Sequence, residues 1–269
     1  MSALDNIFKP TEEPERDSDR LEAIENLVNY WEFKEALKEL KKIKLAPNIF
    51  LGIRIIIDGI LSAIRESIED GVLREELRKV FVKYIEDIIP IANEIGNLRL
   101  KSLAFADISV AFYMLNENLK SDLALKTALN IASDIGDDDL LVEIVKALID
   151  RGLLKKAAYA IKLVRNRKKL DVILSQLAVM FYSSGEFEKA DLTLQHIESP
   201  FHKATAFYYM ASVEASRDKE KALALLDSAF KILDEVQNPI LKFELFLKLV
   251  DLKSSLTGEP KPKTDFSKF

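Results

Sequence analysis

The sequence predicts an all-α protein, more specifically a right-handed α-solenoid of about six antiparallel helical hairpins plus a terminal capping helix. In almost every window outside the two ends, apolar residues recur at i, i+3, i+4 and i+7, and no segment alternates as a strand does. In addition, the segments 152–157, 185–190 and 218–222 resemble one another and recur at steps of 33 and 32 residues. A period of that size is typical of stacked hairpins, which bury their apolar surface against their neighbours.

The individual helices follow from the apolar spacing and from turn residues. First helices of the hairpins are expected at about 19–31, 48–69, 98–115, 138–150, 168–183 and 201–216, with a lone last helix at 240–255. Their partners are expected at about 33–45, 72–95, 119–135, 153–165, 186–198 and 219–236. Glycines separate the paired helices at Gly71, Gly152 and Gly185. Prolines lie at helix starts at Pro47, Pro200 and Pro239. Proline is tolerated at a helix start because the first N–H groups have no intrahelical partner there.

Two helices have special features. Pro90 lies inside the run 72–95, where it removes a backbone hydrogen bond and clashes with the carbonyl of Glu86, so we expect a kink or a break near Ile88 and Ile89. The last helix is polar on one side, as a capping element that meets water should be.

The chain divides into a flexible N-terminal leader (1–18), one helical-repeat domain (19–256) and a flexible C-terminal tail (257–269). The tail has the Pro, Gly and Lys content of a mobile segment, yet it carries Phe266 and Phe269. We expect these two rings to make a contact, either with the protein's own helices, with a second copy through self-association, or with another partner.

Charge disfavours nucleic acid as a general partner. The net charge is −5 and the pI is about 5.4, so the chain lacks the basic surface that phosphate neutralisation requires. The densest basic run, 165–169, falls where one hairpin leads to the next, and a solvated loop explains it.

Composition also bears on the compartment. The chain has no cysteine, which excludes disulfides and thiolate chemistry. Residues 1–20 lack the apolar core of a signal peptide, and the apolar run 53–61 is interrupted by charges and falls short of a membrane span. We therefore expect no membrane association and a cytoplasmic location. Few glutamines beside abundant lysine and glutamate favour a thermophilic source.

The best-preserved unit, 174–200, resembles a tetratricopeptide repeat of the degenerate archaeal and bacterial type. The residues that carry the resemblance are Leu174, Leu177, Ala178, Phe181, Gly185, Ala190 and Pro200. The resemblance covers about 98–256, although no unit has the family's tryptophan and glycine in its first helix. It implies that the leucines and the phenylalanine fill the hairpin and that the alanines allow close helix approach. Second helices vary in length, and the one at 153–166 is short.

The resemblance also implies that first helices line a concave surface. Tyr113, Tyr182 and Tyr208 then become candidate partner-binding residues on one inner ridge, because tyrosine offers a large contact area at a small entropic cost. The alternative interpretation is that these rings pad the packing between repeats.

We find no residues arranged for catalysis, metal binding or cofactor binding. The chain has no Ser/His/Asp order, phosphate loop or dinucleotide fingerprint, and helix capping explains the run of aspartates at 137–139. The leading prediction is a non-catalytic protein-interaction module that binds another protein or a peptide. A regulator that senses a ligand or peptide is the alternative, and a nucleic-acid-associated repeat protein is a weaker one.

Overall fold

The structure is a computed structural model that describes residues 16–69 and 72–259. These residues are helical almost throughout, which confirms the all-α prediction. In the first half of the chain the helices are α1 (Asp17–Asn29), α2 (Phe33–Leu40), α3 (Ala46–Glu66), α4 (Glu75–Glu94), α5 (Leu98–Met114) and α6 (Asn118–Asp134). The second half contains α7 (Asp138–Asp150), α8 (Leu154–Ala160), α9 (Arg167–Ser183), α10 (Phe187–Gln195), α11 (Pro200–Glu214), α12 (Lys219–Leu233) and α13 (Pro239–Thr257).

Two short elements accompany these helices. A 3-10 helix, Ile161–Leu163, follows α8 directly. Two antiparallel strands of two residues each, β1 (Ile68–Glu69) and β2 (Val72–Leu73), pair between α3 and α4. Gly71, predicted as a hairpin turn, and most of the predicted leader and tail lie outside the described residues.

The chain forms two compact units, one through Asp137 and one from Asp138 onward. In the first unit, α1 packs on α2 and α3, α3 packs on α5, and α5 packs on α6. In the second unit, α7, α9, α11 and α13 contact one another in succession, while α8, α10 and α12 pack on their own first helices. Contacts between near neighbours along the chain are typical of stacked hairpins. The right-handed solenoid and the repeat domain 19–256 stay predictions.

A left-handed residue closes the turn in four of the helix pairs. Gly152 and Gly185 adopt φ values of +73° and +78°, as their place between paired helices predicts. Trp31 and Asn116 occupy the equivalent positions with φ values of 62° and 59°. In each turn, the residue after the left-handed one donates its N–H to the carbonyl five residues earlier, at 2.8–2.9 Å. These donors are Glu32, Glu117, Leu153 and Glu186. This bond satisfies a carbonyl that the end of the first helix would otherwise leave without a partner.

Three second helices end earlier than predicted, and a recurring aspartate accounts for this. Asp17, Asp138 and Asp171 each accept two successive backbone N–H groups from the loop 27 and 28 residues later. Each of these aspartates lies in the first helix of a pair and ties down the loop that leads to the next pair. Because that loop is held, α2, α8 and α10 stop at Leu40, Ala160 and Gln195.

Helix α4 continues through Pro90, so of the two expected outcomes the break is absent, and the kink stays a prediction. Pro90 lies on the exposed side of the helix. Water can therefore hydrate the carbonyl that loses its hydrogen bond, which offsets one of the two costs of an internal proline.

Helix α3 is more apolar than the sequence argument allowed. It spans 21 residues and, by length and composition alone, is long and apolar enough to cross a membrane. Half of its apolar window is buried against the rest of the protein, and a single helix of this kind is weak evidence for a membrane span. Gly52 and Gly59 of α3 lie under the side chains of Leu40 and Val28, so they allow α1 and α2 to approach closely.

Candidate functional site: an apolar groove along α9

The structure separates the three predicted tyrosines. Tyr113, on α5 in the first unit, is 40% exposed. Tyr182, on α9, is only 7% exposed, and Tyr208, on α11, is half-buried. Phe266 and Phe269, the other predicted partner-binding residues, lie outside the described residues.

Tyr182 packs between two helix pairs. Its ring centre lies 5.1 Å from that of Phe187, edge to face, and the Lys221 ammonium lies 5.4 Å and 4.3 Å from these two rings respectively. Burial and the nearby Glu214 carboxylate raise the pKa of Tyr182 to about 12. The Tyr182 ring is therefore largely covered within its own unit, and its role in partner binding stays a prediction. The alternative interpretation, packing between repeats, describes it.

Tyr208 is partly committed to the core. It packs on the buried cluster formed by α11, α12 and α13, and its ring lies 5.1 Å from the more exposed ring of Tyr209. Tyr209 therefore exposes more aromatic surface than Tyr208, the residue predicted from the helix pattern.

The second unit contains an apolar groove of about 550 Å³ between α8 and α10. Its floor is one face of α9, formed by Leu170, Leu174, Leu177 and Phe181. These residues recur at helical spacing, and the last three are the ones expected to fill the hairpin. They do pack inward, yet their edges also form the floor of an open depression.

The groove is open because the helices on both sides are short. Helix α8 has seven residues and α10 has nine, so neither covers α9 along its full length. Ile161 and Val164 form one wall, at the 3-10 helix and the loop after it. Leu192 of α10 forms the opposite wall and is 56% exposed. The shortness of 153–166 is visible in the sequence, whereas the resulting gap above α9 is not.

All the charged residues that line the groove are basic. Lys162, Arg167 and Lys189 lie along it together with His196, and no aspartate or glutamate is among the lining residues. Lys189 lies 5.6 Å from the ring centre of Phe181 and also pairs with Glu186. Arg167 is held by Asp171 at 2.9 Å and by the carbonyl of His196. Arg167 also pairs with Glu198 at 3.2 Å. The groove thus combines an apolar floor with an edge whose charged lining residues are basic, two of them paired with carboxylates outside the lining.

The three aspartates at 137–139 make three separate contacts. Asp137 pairs with Arg99 at 2.5 Å in the first unit, and Asp139 pairs with Lys169 at 2.5 Å in the second. Asp138 accepts the N–H groups of Arg165 and Asn166. The aspartates lie at the start of α7, with Asp138 and Asp139 in its first turn, as predicted, and they also make two ion pairs and a loop contact. Within residues 16–69 and 72–259, no three carboxylates or histidines converge as ligands of a metal ion would.

Comparison with known proteins leaves the chain without an assigned family. No protein-family model matches it, and no curated protein matches its sequence.

Proposed function

We propose that this protein is a non-catalytic protein-interaction module of tetratricopeptide-like hairpins, and that the groove along α9 binds a short apolar, acidic segment of another protein. The observation that carries the proposal is the pairing of an apolar floor with an edge whose charges are all basic. The right-handed solenoid and the module's cytoplasmic location belong to the same proposal.

The apolar part of the groove supports a peptide ligand. Leu170, Leu174, Leu177 and Phe181 form a stripe about as long as three helical turns, which matches the i, i+4, i+7 anchors of an amphipathic helix. An exposed leucine such as Leu192 beside this stripe extends the apolar surface that a partner would cover.

The charges support an acidic ligand in particular. Lys162 reaches the edge on a flexible stem and can follow a carboxylate beside the apolar anchors, while Lys189, which pairs with Glu186, lies on the opposite side. Because such contacts are exposed, they favour the encounter and the choice of partner more than the final affinity. Binding should therefore weaken as salt is raised.

The other functions have less support. A nucleic-acid partner would have to bind a protein of net charge −5 through a groove whose floor is apolar. Tyr113 and Tyr208 remain predicted contact residues on other surfaces, with Tyr209 beside the second of them.

A displayed library of random 16-residue peptides, panned on the full chain, tests the proposal directly. We expect enriched peptides to combine leucine or phenylalanine at helical spacing with aspartate or glutamate. Leu192→Glu and Lys162→Glu should each weaken binding of these peptides at least tenfold, measured by fluorescence anisotropy. Both changed side chains lie at the groove and on the surface, so the fold should survive.

Lys155→Glu is the matched control, because Lys155 is an exposed lysine of α8 that does not line the groove. Its affinity for the peptides should stay within twofold of the unchanged protein. Enrichment of basic peptides, or equal binding by the Lys162→Glu and Lys155→Glu variants, would contradict the proposal.

A further inference from the structure

A second recess, at the end of α13, lies beside the point where the described chain ends. Its volume is about 430 Å³, and its apolar wall consists of Phe230, Phe246 and Val250. The ring centres of the two phenylalanines lie 6.3 Å apart at an interplanar angle of 73°, an edge-to-face arrangement that further aromatic rings can extend. Thr257 and Glu259 also line this recess, so the chain leaves α13 along its rim.

The direction in which the chain leaves α13 is set by three hydrogen bonds. Gly258 adopts a left-handed conformation with φ of +75°, and its N–H donates to the Ser254 carbonyl at 2.9 Å. The Ser254 hydroxyl donates to the Glu259 carbonyl, and the Glu259 N–H donates to Thr257 Oγ1 at 3.2 Å. A left-handed cap of this kind turns the chain away from the helix axis and back over the last turn. The described chain therefore ends, at Glu259, on the rim of the recess.

We propose that residues 260–269 fold back in the same molecule and place Phe266 and Phe269 in this recess, which we call the α12–α13 recess. The occupant is the protein's own segment, and the inference does not depend on the groove along α9.

The reach and chemistry of residues 260–269 fit this occupant. The seven steps from Glu259 to Phe266 span up to about 25 Å when extended, so the segment can leave the rim and return. Pro260 and Pro262 favour an extended chain over a helix, which suits a strap lying across a surface.

Charges on the two sides are complementary. Asp227 and Glu259 are the acidic groups at the recess, and the segment carries Lys261 and Lys263 ahead of its phenylalanines. Asp227 already pairs with the Lys253 ammonium at 3.1 Å, and this ammonium lies 5.5 Å from the Phe230 ring centre. The recess thus offers an apolar wall for the two phenylalanines and the Glu259 carboxylate for the lysines that follow it in the sequence.

Disulfide trapping tests the proposal, because the chain has no cysteine of its own. One variant combines Asp227→Cys with Ser267→Cys and places a thiol at the recess and another between the two phenylalanines. The matched control combines Ser228→Cys with Ser267→Cys, since Ser228 is the next residue on α12 and does not line the recess. Under mild oxidation at low protein concentration, we expect the first pair to form an intramolecular disulfide at least tenfold faster.

A third variant adds Phe266→Ser and Phe269→Ser to the first pair, and its rate should fall to that of the control. Non-reducing electrophoresis and peptide mass spectrometry separate closure within one chain from linkage between chains, and circular dichroism confirms that each variant is helical. Equal rates for the two cysteine pairs would overturn the proposal. Disulfide-linked dimers formed in preference to closed monomers would overturn it as well, because they would place the segment on a second copy.

Discussion

Asp171 shows how one carboxylate can hold two helix pairs together. It is 3% exposed and accepts the N–H groups of Glu198 and Ser199 at 3.2 Å and 3.0 Å, together with the Arg167 guanidinium. A carboxylate that accepts several hydrogen bonds in a buried place stabilises the fold, because its removal leaves each donor without a partner. Asp17 and Asp138 make the same loop contacts in their own units.

We expect Asp171→Ala to lower the free energy of unfolding by about 2–4 kcal/mol, since two backbone donors and a guanidinium lose their acceptor together. Urea denaturation followed by circular dichroism measures this change. Asp139→Ala removes an exposed carboxylate paired with Lys169, so it should cost no more than about 0.5 kcal/mol. Equal midpoints for the two variants would show that the buried contacts carry no extra stability.

At the scale of the helix, two glycines in the interior of α3 allow neighbouring helices to pack closely against it. Glycine weakens a helix by about 1 kcal/mol relative to alanine. A methyl group at position 52 would lie 2.6 Å from Leu40 Cδ1, and one at position 59 would collide with Val28 Cγ1. The glycines thus let α1 and α2 lie against the backbone of α3, and the sequence pattern alone presents Gly59 only as an interruption of an apolar run.

Gly59→Ala should therefore destabilise the protein even though it improves helix propensity. Val28 is branched at Cβ and Phe33 Cε1 lies 3.3 Å from the new methyl group, so the cost of overpacking, about 1–3 kcal/mol, should exceed the gain of about 1 kcal/mol. The variant's thermal midpoint measures the outcome.

Gly96→Ala is the control, because no atom lies within 4 Å of the added methyl group. Its thermal midpoint should stay unchanged or rise slightly, as a more restricted unfolded chain predicts. A Gly59→Ala protein that is as stable as the Gly96→Ala protein would mean that α1 and α2 can move aside freely.

At the scale of the whole molecule, stability should depend on pH in two separate ranges. Burial lowers the pKa of His202 below its ordinary value of 6.5, and the Asp171 carboxylate only partly offsets this. Hydrogen bonds lower the pKa of Asp17 through the N–H of Leu45, that of Glu39 through Lys42, and that of Glu117 through Arg78. His202 therefore changes the free energy of unfolding in mildly acidic solution, and the carboxylates change it at lower pH.

The direction of the histidine effect follows from which state binds the proton more tightly. The unfolded chain is protonated at His202 at a higher pH than the folded chain, so stability falls as the pH drops below about 6.5 and levels off below the folded pKa. The carboxylates bind protons more weakly in the folded state, so their contribution, present at neutral pH, is lost as the pH falls through their folded pKa values.

We expect His202→Gln to flatten the dependence of the urea midpoint on pH between about 7 and 5, since the group that takes up the proton on unfolding is gone. His196→Gln, at the other histidine of the chain, should leave this dependence in place. NMR titration of the His202 ring checks the lowered pKa directly. A ring that titrates at or above the pKa of an unfolded histidine would contradict the prediction.

Local patterns in the sequence determined most of the helices of this protein. The predicted span 138–150 coincides with α7, and 168–183 differs from α9 by one residue at its start. Apolar spacing, turn glycines and opening prolines act within a few residues of one another, so they can be recognised without the fold.

Only the tertiary structure decided which apolar faces are covered. The periodicity shows that α9 is apolar on the side of Leu174, but the groove exists because Asp138 and Asp171 hold the loops that end α8 and α10. Likewise, helical spacing does not distinguish the buried Tyr182 from the exposed Tyr113. A pattern of period 3.6 specifies the direction in which a side chain points. Which groups cover that side chain depends on contacts between residues far apart in the sequence, such as that of Asp171 with a loop 27 residues further along.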